Sequence, residues 1–441
     1  MLKRGVTLNI NENKSADKIY EDKPWFKIDN AATLYAAART KNWTRTFRTA
    51  LVLDEDIDPV ILQEALNHTA KRFPFFCVQL RDGLFWSYFE RIDEMPKVLP
   101  DTNYPYRPID LGNNKQPCFR VLYGKNRIIL EGFHSLSDGA GTKIFLSTLV
   151  SHYLELKGEK TEPDGKLVLS VKDLPKEKEG RDDYYTHADP NAKAKNPPRV
   201  SVHIGENKPL LSYVSLIHGI CQVEDLKAAA KKYSLTITEY LTAVLIYTYW
   251  NTEEHDGKPI SVSVPIDLRK RFESSSLRNF CFMTDVSFDP KGREDITFGE
   301  ICDEIRGGLA KKASKEELLS AISSNVSAAS NPALKVIPYF IKRIFLKGTY
   351  EKVQHTYTAF FSNLGPFDFP PETAKHILRA EACLGSTPYQ HFGCASTSVN
   401  GIFTFTFSSG NKDTEKQKFF FRFLSSDGVP LRIESNVDYR G

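Results

Sequence analysis

Between Lys157 and Arg199, lysine, glutamate, aspartate, proline and glycine accumulate, and apolar periodicity lapses except at Leu167, Val168 and Leu169. This stretch constrains the fold most, because it divides the chain into two segments that must each build a core. A chain of 441 residues also exceeds what a single core usually serves. Two lobes are therefore expected, over residues 25–156 and 200–441, joined by a charged linker over 157–199. Residues 1–24 are polar and aperiodic and read as a flexible N-terminal arm.

Both segments alternate strand and helix signals. Thr46 to Leu53 reads as a strand, and Asp58-Pro59 opens a helix that must stop before Pro74. Phe75–Leu80 and Leu84–Phe89 flank Arg81-Asp82-Gly83, which is hairpin turn chemistry. Arg127 to Phe133 makes another strand, after which Phe145, Leu146, Leu149, Val150, Tyr153 and Leu154 recur at helical spacing. His134 to Gly141 is thus a strand-to-helix turn. In the second segment Leu211 to Ile220 reads as a strand, a helix starts at Val223, and Thr236-x-x-Glu239 has capping-box spacing. Pro259 to Pro265 is a buried-type strand, and the tail runs strand, helix, strand over 402–407, 414–424 and 429–434. The fold class is α/β (α+β), with mixed sheets flanked by helices.

Composition narrows the partners. Hydrophobic residues at 41%, charged at 26% and aromatic at 12% describe an ordinary globular chain. A net charge of +4, from 59 basic against 55 acidic residues, gives no ground for a nucleic-acid partner and suits an anionic co-substrate. Cysteines at 77, 118, 221, 281, 302, 383 and 394 form no CxxC pair, so neither a metal site nor a disulfide framework is expected. The N-terminus lacks a signal-peptide pattern and no apolar run reaches spanning length, which points to the cytoplasm. Gly139-Ala140-Gly141 lacks the spacing of a nucleotide loop. Leu334 to Lys347 mixes Ile, Phe, Tyr and Lys; a helix covering an acceptor tunnel is the preferred reading, and peripheral membrane contact the alternative.

One turn carries chemistry. A general base needs a side chain that titrates near neutrality, and histidine does so at ~6.5. His134 sits where an apolar strand ends and the chain reverses. Asp138 and Gly139 mark a tight turn needing unusual backbone angles, with the aspartate locking it. On spacing alone a packed or exposed histidine remains the commoner reading.

Phe133-His134-Ser135-Leu136-Ser137-Asp138-Gly139 resembles the HHxxxDG signature of the chloramphenicol acetyltransferase-like superfamily, which includes condensation domains and alcohol O-acetyltransferases. The resemblance implies two lobes of similar topology meeting along a tunnel, with His134 as base. Phe133 replaces the first histidine of the pair, which argues against a peptide-forming condensation domain. Ser263-Val264-Pro265-Ile266-Asp267-Leu268-Arg269 is similar to the family's V-P-x-D-x-R strand end, which implies that Arg269 pairs with Asp138. Ser362-Asn363-Leu364-Gly365 resembles the S-N-x-G strand of alcohol acetyltransferases, and Asn279 matches a nearby family asparagine. Ser362, Asn363 and Asn279 are thus candidate oxyanion or substrate groups. The DFGWG element of the plant branch is absent.

The implied activity is a CoA-dependent acyltransfer, an O-acetyltransfer from acetyl-CoA or another acyl-CoA to a small-molecule or lipid alcohol. Acyl-CoA would be a co-substrate, with no tightly bound cofactor, and the chain is expected to be a monomer. Two alternatives stand beside it: a donor held on an acyl carrier protein, and a non-catalytic binding or assembly module of the same fold. No coenzyme A-binding residue can be named from the sequence.

Overall fold

The computed structural model describes residues 24–40, 45–102, 104–111, 116–189, 191, 210–254, 258–290, 292–354, 356–385 and 392–436. The expected N-terminal arm up to residue 23, and the expected linker from 192 to 199, lie outside them.

In the N-terminal half the strands are β1 (Trp25–Lys27), β2 (Thr46–Leu53), β3 (Val78–Asp82), β4 (Ser87–Arg91), β5 (Val98–Pro100), β6 (Phe119–Tyr123) and β7 (Arg127–Phe133). β1, β4 and β3 form a small antiparallel sheet. The rest belong to a larger sheet in which β2 and β7 run antiparallel, with Thr46 opposite Phe133. Leu51 and Leu53 share one face of β2, and Ile128 and Leu130 one face of β7. Two helices cover that face. In one, Pro59–Arg72, Asp58 accepts from the Val60 and Ile61 N–H groups and Leu62 and Leu66 are buried. The other, Gly139–Leu156, buries Phe145, Leu146, Leu149, Val150, Tyr153 and Leu154.

The C-terminal half contributes β8 (Leu210–Gln222), β9 (Ile260–Asp267), β10 (Cys281–Phe288), β11 (Ala359–Pro366), β12 (Ile377–Leu384), β13 (Phe392–Val399), β14 (Ile402–Asn411) and β15 (Arg432–Ser435). Seven of these form one sheet in the order β10-β9-β11-β13-β14-β8-β15. Its core packs Val262, Val264, Phe361, Phe403, Phe405 and Phe407 against helix Ile237–Thr252, whose Thr236–Glu239 capping box is present. On β14 the alternate residues turn the other way. Thr406 meets His218 Nδ1 at 2.9 Å, and Ser408 lies 3.3 Å from the Tyr106 hydroxyl of the N-terminal half. The two large sheets thus face each other across a polar seam.

Two features differ from the sequence reading. β12 leaves the expected C-terminal lobe and pairs antiparallel along β2, giving the five-stranded order β12-β2-β7-β6-β5. Ile377 and Ala380 join the N-terminal core, while Arg379 bonds Glu381 and Glu434 on the far side. Residues 157–189, where a linker is expected, are anchored to the fold at a few points, with Val168, Glu179, Asp183 and Tyr184 buried. Glu179 is buried and accepts two bonds from Arg72, at 2.7 and 2.8 Å. Ion pairs rather than apolar periodicity hold this strap, which gives it the composition of a linker. Among the described residues no helix is long and apolar enough to cross a membrane.

Candidate active site

His134 stands one residue beyond β7, and its N–H donates to the Arg45 carbonyl at 3.0 Å. The chain then turns, with the Leu136 N–H on the Phe133 carbonyl at 2.8 Å. Asp138 ends the turn as the N-cap of helix Gly139–Leu156, its Oδ1 accepting from the N–H groups of Ala140 and Gly141 at 3.1 Å. A carboxylate there satisfies donors that every helix start leaves open and complements the positive end of its dipole.

The same carboxylate holds Arg269, which follows β9. Arg269 Nη2 lies 2.9 Å from Oδ1 and Nη1 3.0 Å from Oδ2, while the Phe280 N–H donates to Oδ2 at 2.8 Å. The guanidinium's other donors reach Asp267 and the carbonyls of Ser276 and Arg278. Both charges are buried and fully engaged, so this pair joins helix Gly139–Leu156 of one half to the β9 end of the other. Among the described residues, no hydrogen bond of Asp138 goes to His134.

Packing rather than backbone angle bears on the glycines, closely at Gly139 and prohibitively at Gly141. Gly139 does not adopt the left-handed conformation expected of it. A Cβ there would meet Leu364 of β11 at 3.2 Å. Two residues on, a Cβ on Gly141 would lie 2.1 Å from the Leu277 carbonyl oxygen, closer than any atom can approach.

The imidazole is held from one side. His134 Nδ1 lies 3.2 Å from Asn279 Oδ1. Asn279 directs Nδ2 to Asp29 Oδ2 at 3.1 Å and to the Ser135 carbonyl at 3.3 Å. The carbonyl can only accept, so the amide nitrogen belongs on that side and the oxygen faces the ring. Nδ1 therefore carries the proton, and Nε2 keeps its lone pair. No hydrogen-bond partner reaches Nε2 among the described residues. Asn279, expected among the oxyanion or substrate groups, is buried, faces the His134 ring with its oxygen and has both donors taken.

Asp29 anchors this chain of contacts. It is fully buried, caps helix Asn30–Ala38 through the Ala32 N–H at 2.7 Å, and lies 3.6 Å from Arg278 Nε. Burial pushes its carboxyl up to about 7, against the lowering pull of Arg278. From the same helix Tyr35 stacks on His134, ring centroids 4.2 Å apart at 19°, and Phe47 flanks the imidazole at 5.0 Å. Burial lowers the imidazole's pKa below its ordinary 6.5; a hydrogen bond to its own backbone, Asp138 and Asn279 pull the other way. Arg45 donates to the Tyr350 hydroxyl at 2.7 Å, and Tyr350 meets Tyr35 edge-on.

From the other half, β11 brings Ser362 and Asn363 to the seam. Ala359 and Phe361 lie in the C-terminal core, so by alternation Ser362 points to the opposite face with Leu364, which touches Gly139. Asn363 turns away, donating to Thr238 Oγ1 at 3.0 Å and accepting from the Gly365 N–H at 3.0 Å. Phe133, at the position of the missing first histidine, is fully buried in the N-terminal core. A cavity of about 710 Å³ lined by Arg127, Arg379 and Arg432 opens at the other end of β7. Seven residues of strand, ~20 Å, separate it from His134, so it is distinct from the base.

Asp29, Tyr35 and Gly141 escape the sequence reading. Asp29 had a local signal, an N-cap residue before an alanine-rich helix; Tyr35 and Gly141 had none.

No protein-family model matches the chain, and no curated protein sequence is similar to it. Solved structures are similar over nearly the whole length. TRI101 of F. graminearum, complexed with coenzyme A and deoxynivalenol, matches with a TM-score of 0.60 at 10% identity, over 92% of this chain and 99% of that one. The first condensation domain of the calcium-dependent antibiotic synthetase gives 0.58 at 14% identity, over 92% and 99%. Polyketide synthase associated protein 5 of Mycobacterium tuberculosis gives 0.54 at 12%, over 90% and 97%. The chain has the chloramphenicol acetyltransferase-like fold. Its two facing sheets are the two halves of that architecture, with His134 at the seam between them.

Proposed function

We propose that the chain is an acyltransferase that moves an acyl group from a thioester, acyl-CoA, to an alcohol hydroxyl. The observation that carries this reading is the contact of His134 Nδ1 with Asn279 Oδ1, which leaves Nε2 free among the described residues. Asn279 holds the proton on Nδ1, and burial keeps the ring neutral near pH 7, so Nε2 is a base at the seam.

In the reaction Nε2 takes the hydroxyl proton as the alcohol oxygen attacks the thioester carbonyl carbon. A C–O bond forms and the carbonyl electron pair moves onto oxygen. The tetrahedral oxyanion then collapses, the C–S bond breaks, and the thiolate takes the proton back from the imidazolium. A thiol of pKa ~8.5 leaves readily, so one base serves both steps and no acyl-enzyme is needed. Ser362 is the favoured oxyanion donor, because it faces the turn while Asn363 is turned toward Thr238. Such a donor is worth roughly 3 kcal/mol of barrier. Asp138 and Arg269 act as positioning residues, because they fix the turn and touch no reacting atom.

Free coenzyme A is the favoured donor over a carrier-protein thioester, given the similarity to a fold seen with coenzyme A in TRI101. The buried Phe133 speaks against a peptide-forming role. Acetyl as the acyl group, a single-chain state and a cytoplasmic setting complete the reading.

The test measures free thiol from acyl-CoAs of several lengths against a panel of alcohols and amines. Alcohol-dependent thiol release that His134→Ala abolishes in a folded protein supports the reading. Absence of release with every pair leaves the non-catalytic module as the better account.

A further inference from the structure

We propose that helix Tyr339–Gln354 and the β3–β4 hairpin tip form a face that docks on an anionic lipid surface. The helix is two-sided. Its inner side packs on helix Asn30–Ala38, with Tyr339 and Tyr350 buried and Arg343 donating to the carbonyls of Ala37 and Arg39. Its outer side carries Phe340, Ile344 and Phe345, which are 68%, 70% and 69% exposed. Val336, in the bend between helix Pro332–Lys335 and this one, is more exposed still.

The hairpin extends this row. The Tyr339 N–H donates to the Leu84 carbonyl at 2.7 Å, which fixes the tip beside the helix start, and Leu84 and Trp86 of that tip are exposed. Six large apolar side chains on one tied pair of elements exceed the scattered exposure of an ordinary surface. The inner side reaches toward His134 through Tyr350 and Tyr35, so the outer side is the one left to dock.

Charge selects the occupant. From Pro332 to Tyr350 the sequence holds no aspartate or glutamate, whereas Lys335, Lys342 and Lys347 lie on or beside the row. Lys347 has only a 3.8 Å contact to Glu351, and the acids of the hairpin are matched by Arg39 and Arg81. Apolar side chains ringed by lysines, with a tryptophan at the edge, match the interface of a membrane bearing acidic headgroups. With no helix here able to span, the face would lie in the membrane plane.

The test uses the full chain and vesicles of phosphatidylcholine with or without phosphatidylserine, scored by flotation. Binding is expected to the phosphatidylserine vesicles and to weaken with salt. The double variant Phe340→Glu and Ile344→Glu should lose at least ~10-fold in partitioning, and Lys→Gln at 335, 342 and 347 roughly fivefold per lysine. Phe340, Ile344, Lys335 and Lys347 are exposed and Lys342 is half-buried, so the thermal unfolding midpoint should hardly move. His134→Ala should float like the unaltered chain, so docking stands or falls apart from acyl transfer. No flotation, flotation indifferent to all these changes, or a dimer through this face that vesicles do not dissociate would each overturn the proposal.

Discussion

Tyr35 lies almost parallel to the His134 imidazole, with 4.2 Å between ring centroids, and the two residues come from opposite ends of the N-terminal half. The stack limits ring rotation and withholds water from one face of the imidazole. Tyr35→Leu keeps an apolar side chain but removes the plane, so kcat should drop about tenfold while KM for acyl-CoA stays nearly constant. Tyr35→Phe keeps the plane and should restore most of the rate. Steady-state kinetics on the two variants checks this.

The Asp138–Arg269 pair is buried, bidentate and joins the two halves. Arg269→Met leaves Asp138 charged without its partner, and losing one side of such a pair costs about 3–5 kcal/mol. The variant should unfold at lower denaturant, with activity lost in proportion to unfolded protein. Chemical denaturation followed by fluorescence measures this. An unchanged midpoint would mean that the pair does not carry the turn.

Gly141→Ala should fail more severely than Gly139→Ala. The added methyl at 141 would sit 2.1 Å from a backbone oxygen, which cannot give way without moving the Leu277 segment. At 139 the neighbour is a leucine side chain at 3.2 Å, which can rotate. Soluble yield and midpoint should rank Gly139→Ala well above Gly141→Ala.

Asp29→Asn tests the far end of the support. The amide keeps an oxygen for the Ala32 cap but removes the carboxylate that orients Asn279. The helix cap should lose only ~1 kcal/mol or less, while kcat falls more than stability requires. Because the Asp29 carboxyl titrates at about 7 in the fold, against ~4 unfolded, it favours the native state in acid, and that contribution is lost as pH rises from about 4 to 7. The variant should lose that slope.

The residues legible in the sequence are those that lie within short, recognisable local patterns, even where their partners are distant in the chain. His134, Asp138 and Arg269 belong to contiguous patterns, and the strand and helix on either side of the turn have clean periodicity. Tyr35 reaches the imidazole from another element and Asp29 meets it through Asn279, so packing alone reveals their part in the site, although the N-cap role of Asp29 had a local signal. β12 is hidden for a different reason: Arg379 and Glu381 are buried on one of its faces, and Arg379 donates to both Glu381 and Glu434, so its pattern looks like surface. The strap around Glu179 is concealed in the same way, by a buried ion pair in a segment of linker composition.

The pH dependence of the reaction separates a base from a structural histidine. Burial lowers the His134 pKa, so the neutral ring dominates at pH 7 and the rate should be flat there. On the acid side kcat/KM should fall with a midpoint below 6.5, as Nε2 becomes protonated. Asn279 accepts from Nδ1 and so favours the imidazolium. Asn279→Ala should therefore lower kcat and move the acid limb to still lower pH, whereas a purely structural role would lower kcat without moving the limb. For stability the sign is the reverse of Asp29: the unfolded chain binds the His134 proton more tightly, so this contribution grows as pH rises through the folded pKa toward 6.5. A limb at or above 6.5, unmoved by Asn279→Ala, would remove His134 from the role of base.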